Sequence, residues 1–160
     1  FHGQMGMYTR ALSYMMSHGS DGLKQATEDA VLNANYILAS LSDLMTPAYP
    51  GYCMHEALFD DTFLQNTGVD TLDFAKAMID EGYHPMTMYF PLVVHGAMLI
   101  EPTESESKYE LDRFIATMRG LANRAKSGDI KSFKAAPQHS PTKRVDETLA
   151  ARKPVLRYGS

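Results

Sequence analysis

The sequence contains one cysteine and no tryptophan among its 160 residues. A single cysteine, Cys53, excludes an internal disulfide and is compatible with a reducing compartment. No apolar run approaches the roughly 18 residues that a transmembrane helix requires, so we expect no membrane span. A positively charged segment followed by an apolar one is missing at the N-terminus. We therefore expect the start, Phe1-His2-Gly3, to be an internal point of a longer chain.

Several motifs that carry catalysis are also missing. The six histidines show no zinc-ligand spacing, HExxH is absent, and so are phosphate-loop, dinucleotide-binding and nucleophile-elbow patterns. We therefore expect no metal site, and no catalytic triad follows from spacing alone. His55 and Glu56 are neighbours on a predicted strand, where successive side chains face opposite sides. That placement is typical of one buried and one exposed side chain, and it does not bring the two together on a metal.

The composition that remains is that of an ordinary globular domain, with 44% apolar and 21% charged residues. Its charge is uneven. Residues 1–125 carry seven Lys or Arg against sixteen Asp or Glu, whereas residues 126–160 carry eight against three. A basic tail on an acidic body is compatible with nucleic-acid binding, but contact with an acidic protein surface is the commoner arrangement. We expect no nucleic-acid partner.

Apolar spacing predicts two helices, a strand, a helix, two strands, a helix and a tail. The predicted elements are helices over 3–18 and 21–45 separated by Gly19, a strand over 53–59, a helix over 70–81, strands over 86–94 and 97–100 joined by a tight turn at His95-Gly96, and a last helix over 103–126 opened by a capping box of Thr103 and Glu106. This order indicates an α+β fold with a small, mostly antiparallel sheet and helices packed on one face. Residues 128–160 lose periodicity and are predicted to form an extended arm.

Two polar features interrupt these elements. Asn33 and Asn35 lie within a predicted helix, where Asn is a mediocre helix former, so contact with another domain and exposure to solvent both stay open. The cluster from Glu101 to Glu106 occupies a junction between a strand and a helix, where free N–H groups often bind anions. Its carboxylates disfavour a phosphate, and helix capping accounts for Thr103 and Glu106.

Longer strings are more specific. AVLNANYIL (30–38), CMHE (53–56) and GYHPMTMYFPLVVHGAMLIEPTESE (82–106) resemble the pyridoxal-phosphate subunit of glycine dehydrogenases (decarboxylating), the P-proteins of the glycine cleavage system. The opening FHGQMGMYTRALSY is similar to the Gly-x-x-Gly-x-x-x-Arg-Ala helix of that family. The ending PTKRVDETLAARKPVLRY is similar to the tail of the two-subunit, prokaryotic form. The resemblance therefore covers nearly the whole chain.

The resemblance implies a fold and a division of the chain. It implies the C-terminal small domain of an aspartate-aminotransferase-like, fold type I pyridoxal-phosphate enzyme. Residues 1–127 would then be the end of a linking helix plus the small domain, and residues 128–160 an extended basic arm. In the family the Schiff-base lysine lies in a His-Lys-Thr motif, which this chain lacks. We therefore expect no cofactor-binding residue in this chain, and we expect the chain alone to be inactive.

The resemblance also implies a reaction and partners. The whole enzyme would decarboxylate glycine with pyridoxal phosphate and pass the aminomethyl group to the lipoyl arm of the H-protein, in a prokaryotic cytoplasm. The other P-protein subunit would complete a heterotetramer, and the basic arm would wrap that partner. Two alternatives stay open. One is another fold type I pyridoxal-phosphate decarboxylase or aminotransferase, and the other is a non-catalytic interaction module.

Small domains of such enzymes close over the substrate, which implies candidate site residues in this chain. The catalytic candidates are His55 and Glu56. The substrate-binding candidates are Arg10, Glu101, Thr103 and Glu104. Arg10 suits a carboxylate because its guanidinium forms a bidentate fork, but a structural salt bridge explains it equally well.

Overall fold

The computed structural model describes residues 2–159. Phe1, the first residue of the predicted unit 1–127, and Ser160, the last residue of the predicted unit 128–160, lie outside the described residues. In chain order the elements are α1 (Met5–Leu41), β1 (Thr46–Pro47), β2 (Ala57–Asp60), a 3₁₀ turn (Thr62–Leu64), α2 (Thr71–Asp80), β3 (Thr87–Met88), β4 (Met98–Ile100), α3 (Lys108–Lys126), α4 (Ile130–Ala135) and α5 (Glu147–Arg152). The predicted α+β class is confirmed. Among the described helices, none combines the length and the apolar character that crossing a membrane requires.

The four strands form one antiparallel sheet in the order β1-β2-β4-β3. Successive residues of β2 and β4 alternate between buried and half-buried, as expected for a sheet with one covered face. The covered face, which joins the helices in the hydrophobic core, carries Ala57, Phe59, Met98 and Ile100. Leu58 and Leu99 point to the other face and line an open cavity.

The long helix α1 is interrupted at Gly19, whose φ of 64° and ψ of −175° are not helical. Only glycine adopts this conformation readily, so the predicted break at Gly19 is confirmed. The two segments meet directly, and the second ends at Leu41 rather than at the predicted Met45. Residues 5–20 are exposed along their whole length, whereas the second segment carries the buried Ala34 and Ile37.

Helix α2 begins as predicted. The Asp70 side chain accepts a hydrogen bond from the Asp73 backbone N–H, and the Asp73 carboxylate accepts one from the Asp70 N–H. Its buried face differs from the prediction, because Leu72 and Ile79 are only half-buried. The buried side chains are Thr71, Asp73, Phe74, Ala75, Ala77 and Met78. Helix α2 contacts both α3 and α4, and these two contacts explain the wider buried face. The prediction missed it because no helix was predicted at the position of α4.

Two predicted strands are shorter in the structure. The strand over 53–59 begins only at Ala57, and residues 53–56 form an irregular segment. The strand over 86–94 is limited to Thr87–Met88, and a loop of residues 89–97 joins it to β4. His95 and Gly96 lie in a turn, as predicted, but this turn is part of the longer loop and does not join two strands directly. In this loop the Val94 N–H donates to the Pro91 carbonyl, and proline itself has no N–H for a sheet ladder.

The last long helix begins later than predicted. Helix α3 starts at Lys108, and its N-cap is Ser107, whose hydroxyl accepts from the Glu110 N–H at 3.2 Å. Thr103 does not cap a helix, so the predicted capping box is wrong. Ser107-x-x-Glu110 repeats the same signature four residues further on, and sequence alone does not choose between the two. The predicted core face is confirmed, with Phe114 half-buried beside the buried Leu111, Ile115, Met118, Leu121, Ala122 and Ala125.

The segment predicted as an extended arm is not extended throughout. Residues 130–135 form α4, and Phe133 is fully buried in the core with its ring 6.2 Å from that of Phe74. Residues 136 and 137 are also buried. One buried aromatic in a short helix leaves no periodic signal, which explains the wrong expectation. The division of the chain at residue 128 stays a prediction.

Candidate functional site

A cavity of about 460 Å³ lies where β4 leaves the sheet. It is bordered by two of the strings that stood out in the sequence, CMHE and EPTESE. Four carboxylates contribute to its wall, from Glu56, Glu101, Glu106 and Glu110. The remaining lining is mixed and includes Ile37, Tyr83, His84, Thr87, Leu99 and Phe114. Such a wall favours a cationic group and disfavours an anion.

Helix α1 holds both loops that border this cavity. The Asn35 side chain donates to the Cys53 carbonyl at 2.7 Å and accepts from the Cys53 N–H at 3.0 Å. The Asn33 amide donates to the carbonyls of Thr103, at 2.9 Å, and Glu106, at 3.3 Å. Both asparagines are thus anchored within this chain rather than simply exposed, and sequence reasoning missed this role.

The His55–Glu56 pair lies in the irregular segment before β2, so the expectation that the two side chains face opposite sides of a strand is wrong. His55 Nε2 is 4.0 Å from Glu56 Oε1, and the side chains are 52% and 37% exposed. Glu56 lines the acidic cavity and also the apolar cavity beside it. Glu56 therefore borders two cavities, and His55 lies beside it without lining either of them.

The other loop candidates occupy different positions. Glu101 lines the acidic cavity directly. Thr103 has a φ of 59°, and its hydroxyl lies 2.8 Å from that of Ser105. Glu104 points away and accepts a hydrogen bond from the Tyr14 hydroxyl at 3.2 Å. Partial removal from water and the adjacent carboxylate of Glu104 raise the pKa of Tyr14 above its ordinary value of 10.0.

Arg10 lies on the exposed first segment of α1, one helical turn before Tyr14. Tyr14 contacts Glu104, so this face of α1 lies next to the loop of residues 101–106. Within residues 2–159, no hydrogen bond or ion pair joins Arg10 to another side chain. Its guanidinium is therefore available to a group from outside the described chain.

A second cavity, of about 360 Å³, shares Glu56 and Leu99 with the first. Its wall is mostly aromatic and apolar, with Tyr49, Tyr52, Leu58 and Phe90 among its members.

Beyond Tyr49 a third cavity is bordered by His95, whose Nδ1 lies 2.9 Å from Asp61 Oδ1. The hydrogen bond with Asp61 raises the pKa of His95 above 6.5. His95 was predicted only as a turn residue, so its pairing was missed.

The three cavities do not suit pyridoxal phosphate. None of the described lysines or arginines lines any of them. The cofactor needs a lysine for its aldehyde, and its phosphate needs cations or free N–H groups. The four carboxylates of the acidic cavity oppose a phosphate further. Over the part of the chain that the structure describes, no three potential ligands among His, Cys, Asp and Glu cluster for a metal either.

Comparison with known proteins identifies close relatives. The family described as glycine dehydrogenase, C-terminal domain, matches residues 26–145. The probable glycine dehydrogenase (decarboxylating) subunit 2 of Caulobacter vibrioides is 74% identical over 159 residues, which are 99% of this chain and 30% of that protein. The proteins of the same description from Kosmotoga olearia and Oceanobacillus iheyensis are 48% and 47% identical, over 99% of this chain and 33% and 32% of theirs. The chain thus spans about a third of the length of these relatives.

Proposed function

The chain belongs to the family of glycine dehydrogenase C-terminal domains, and we propose that it forms the C-terminal domain of a decarboxylating glycine dehydrogenase, subunit 2. The observation that carries this proposal is the 74% identity to such a subunit over 99% of the chain. The geometry supports it, because the strings typical of the family meet around one cavity. Neither another pyridoxal-phosphate decarboxylase nor an interaction module accounts for that identity as well.

The whole enzyme would decarboxylate glycine and pass the aminomethyl group to the lipoyl arm of the H-protein. Pyridoxal phosphate, when bound, would supply the electron sink for the loss of CO₂. Its lysine and phosphate site would belong to the other two thirds of the subunit, because the cavities of this chain do not fit them. This chain would be the small domain of a fold type I enzyme, and alone it would be inactive.

The candidate residues would then have distinct roles. Glu56 and Glu101 face the acidic cavity and would attract the ammonium group of glycine. His55, beside Glu56, would exchange a proton with a group in the cavity mouth. Arg10 is the candidate whose charge suits the carboxylate of glycine. Thr103 and Glu104 would contribute through the shape of their loop.

Replacing His55 with alanine tests this assignment. In a full-length subunit that carries this sequence, assembled with its partner subunit and loaded with cofactor, we expect glycine–CO₂ exchange to fall at least about tenfold, because general acid–base catalysis contributes about 10²–10⁴. His139→Ala is a matched control, since His139 is exposed and lies beside Asp80, which lines none of the three cavities, whereas His55 lies beside Glu56. Wild-type exchange in His55→Ala at equal cofactor content would remove His55 from the mechanism.

The exposed end of the chain would contact the other subunit. Helix α5 and residues 153–159 are exposed and together carry three cations against one carboxylate, with apolar side chains such as Leu149, Val155 and Leu156. This surface suits an acidic partner with apolar contacts. Gel filtration of the two subunits together measures this directly. Unchanged co-elution after removal of residues 146–160 would contradict the assignment.

A further inference from the structure

Apart from Arg10 on α1, the candidate site residues lie on two loops that the sheet does not order. The first loop, residues 53–56, ends where β2 begins at Ala57. The second, residues 101–106, starts after β4 ends at Ile100. Neither loop has strand or helix hydrogen bonds of its own, so other contacts must fix their positions.

Asn35 fixes the first loop through its whole side-chain amide. Its Nδ2 donates to the Cys53 carbonyl and to the Val31 carbonyl one turn earlier in α1, and its Oδ1 accepts from the Cys53 N–H. The N–H and the carbonyl of Cys53 are therefore both hydrogen-bonded to the Asn35 side chain. In a sheet, a residue of a neighbouring antiparallel strand would make the same two bonds. His55 and Glu56 follow two and three residues later.

Asn33 fixes the second loop through two carbonyl groups. Its Nδ2 donates to Thr103 and Glu106, which lie on either side of Glu104. Thr103 has a φ of 59°, a conformation that a β-branched residue adopts only under support from its surroundings. The bond to its carbonyl provides such support. The Tyr14–Glu104 hydrogen bond holds the same loop from the first segment of α1.

The helix between the two asparagines is firmly seated. Ala34 lies between them and is fully buried, as is Ile37 one turn on. Residues two apart on a helix point in different directions, so Asn33 and Asn35 reach opposite loops without competing. One rigid segment of α1 thus sets the separation of the two loops.

We propose that Asn33 and Asn35 are positioning residues, which tie the two loops to α1 and so place Glu56, with His55 beside it, at the cavity that the carboxylates of the second loop also border. The placement of the loops is a property of this chain, whereas its use in catalysis rests on the proposed function. The two parts are tested by different measurements.

The first measurement follows the thiol of Cys53, the single cysteine. It is half-buried, and burial raises its pKa. In the 160-residue chain we expect Asn35→Ala to speed the reaction of Cys53 with a disulfide reagent such as DTNB about tenfold or more. Asn35→Asp, which keeps the acceptor for the Cys53 N–H but loses the donor, should give an intermediate rate.

Two matched variants separate loop release from general destabilisation. Asn33→Ala breaks an equivalent pair of hydrogen bonds on the same helix but releases the other loop, so it should leave the Cys53 rate near that of the wild type. Asn123→Ala changes an exposed asparagine within α3 and should have no effect. Equal rates for Asn35→Ala and Asn33→Ala would overturn the proposed attachment of the first loop.

The second measurement uses the full-length, cofactor-loaded enzyme assembled with its partner. We expect Asn35→Ala and Asn33→Ala to lower kcat for glycine–CO₂ exchange about tenfold, normalised to bound cofactor, and to move its pH profile. A loss of folded enzyme would lower that profile without moving it. An unmoved profile and an unchanged kcat would overturn the positioning role even if the thiol result held. A wild-type enzyme without glycine-dependent exchange would instead overturn the proposed function, and the catalytic part of this inference with it.

Discussion

Replacing Phe133 with alanine is expected to lower the free energy of unfolding of this chain by about 3–5 kcal/mol, the usual loss for a buried phenylalanine. Phe133 is fully buried, its ring lies 6.2 Å from that of Phe74, and the Arg124 guanidinium lies 5.5 Å above it. The alanine variant would leave a cavity between α2 and α4, which relaxes only in part. Guanidinium denaturation followed by circular dichroism measures the change.

The matched control is Lys131→Ala, an exposed position on the same short helix. Its effect is expected to stay within about 0.5 kcal/mol. The comparison decides whether α4 belongs to the folded core. A loss for Phe133→Ala as small as that of the control would mean that residues 130–137 do not pack on α2, and the sequence-based expectation of an extended arm would be correct after all.

Replacing Asp73 with alanine is expected to lower the free energy of unfolding by at least about 2 kcal/mol, since the change removes the buried partner of two cations. Asp73 is 1% exposed and accepts from Lys134, from Arg144 at 2.8 Å and from the Asp70 N–H at 3.2 Å. The side chains of Lys134 and Arg144 retain access to water. The loss of unfolding free energy is therefore expected to be smaller than the loss on breaking a fully buried ion pair. Arg144 also donates to the carbonyls of Phe133 and Ala136, so the same residues hold α4 in place.

The stabilisation by Asp73 should depend on pH. Burial alone raises the pKa of Asp73, but the hydrogen bonds from Lys134, the Asp70 N–H and Arg144 outweigh burial and hold the pKa below 3.8. A carboxylate with a lowered pKa stabilises the fold above its unfolded-state value and loses that contribution as pH falls through the lowered value. The wild-type chain should therefore lose stability below pH 3.8, and Asp73→Asn should lose less over that range.

Asp112→Ala is the control for this ion pair. Asp112 is paired with Lys108 at 2.7 Å on the surface, where an ion pair stabilises the fold little. Thermal unfolding of the three proteins at neutral pH gives the comparison. Equal midpoints for Asp73→Ala and Asp112→Ala would show that the buried position of Asp73 carries no special stability.

Local signals in the sequence predicted several elements correctly. Gly19, the Asp70 cap and the apolar face of α3 each follow from residues within one or two helical turns. The start of α3 did not, because Thr103-x-x-Glu106 and Ser107-x-x-Glu110 are equivalent signatures. The structure uses the second, since the backbone at Thr103 turns to meet Asn33. That choice depends on a contact between residues 70 positions apart.

The candidate site was predictable only in part, for the same reason. Family-typical strings indicated the two loops, and both border the acidic cavity. The contacts that place them, from Asn33, Asn35 and Tyr14, join residues distant in sequence. An asparagine within a helix does not indicate its partner, and a single Phe133 after the last periodic helix does not indicate a core position. Tertiary contacts of this kind leave no local pattern.

The most direct test of the central claim is whether this chain can hold the cofactor of the enzyme to which we assign it. The chain and a full-length subunit would each be incubated with equimolar pyridoxal phosphate, reduced with borohydride and measured by intact mass. We predict one phosphopyridoxyl group on the full-length subunit and no stoichiometric adduct on the 160-residue chain. A stoichiometric adduct on a single lysine of the chain would contradict the account, because it would mean that the chain carries its own cofactor site.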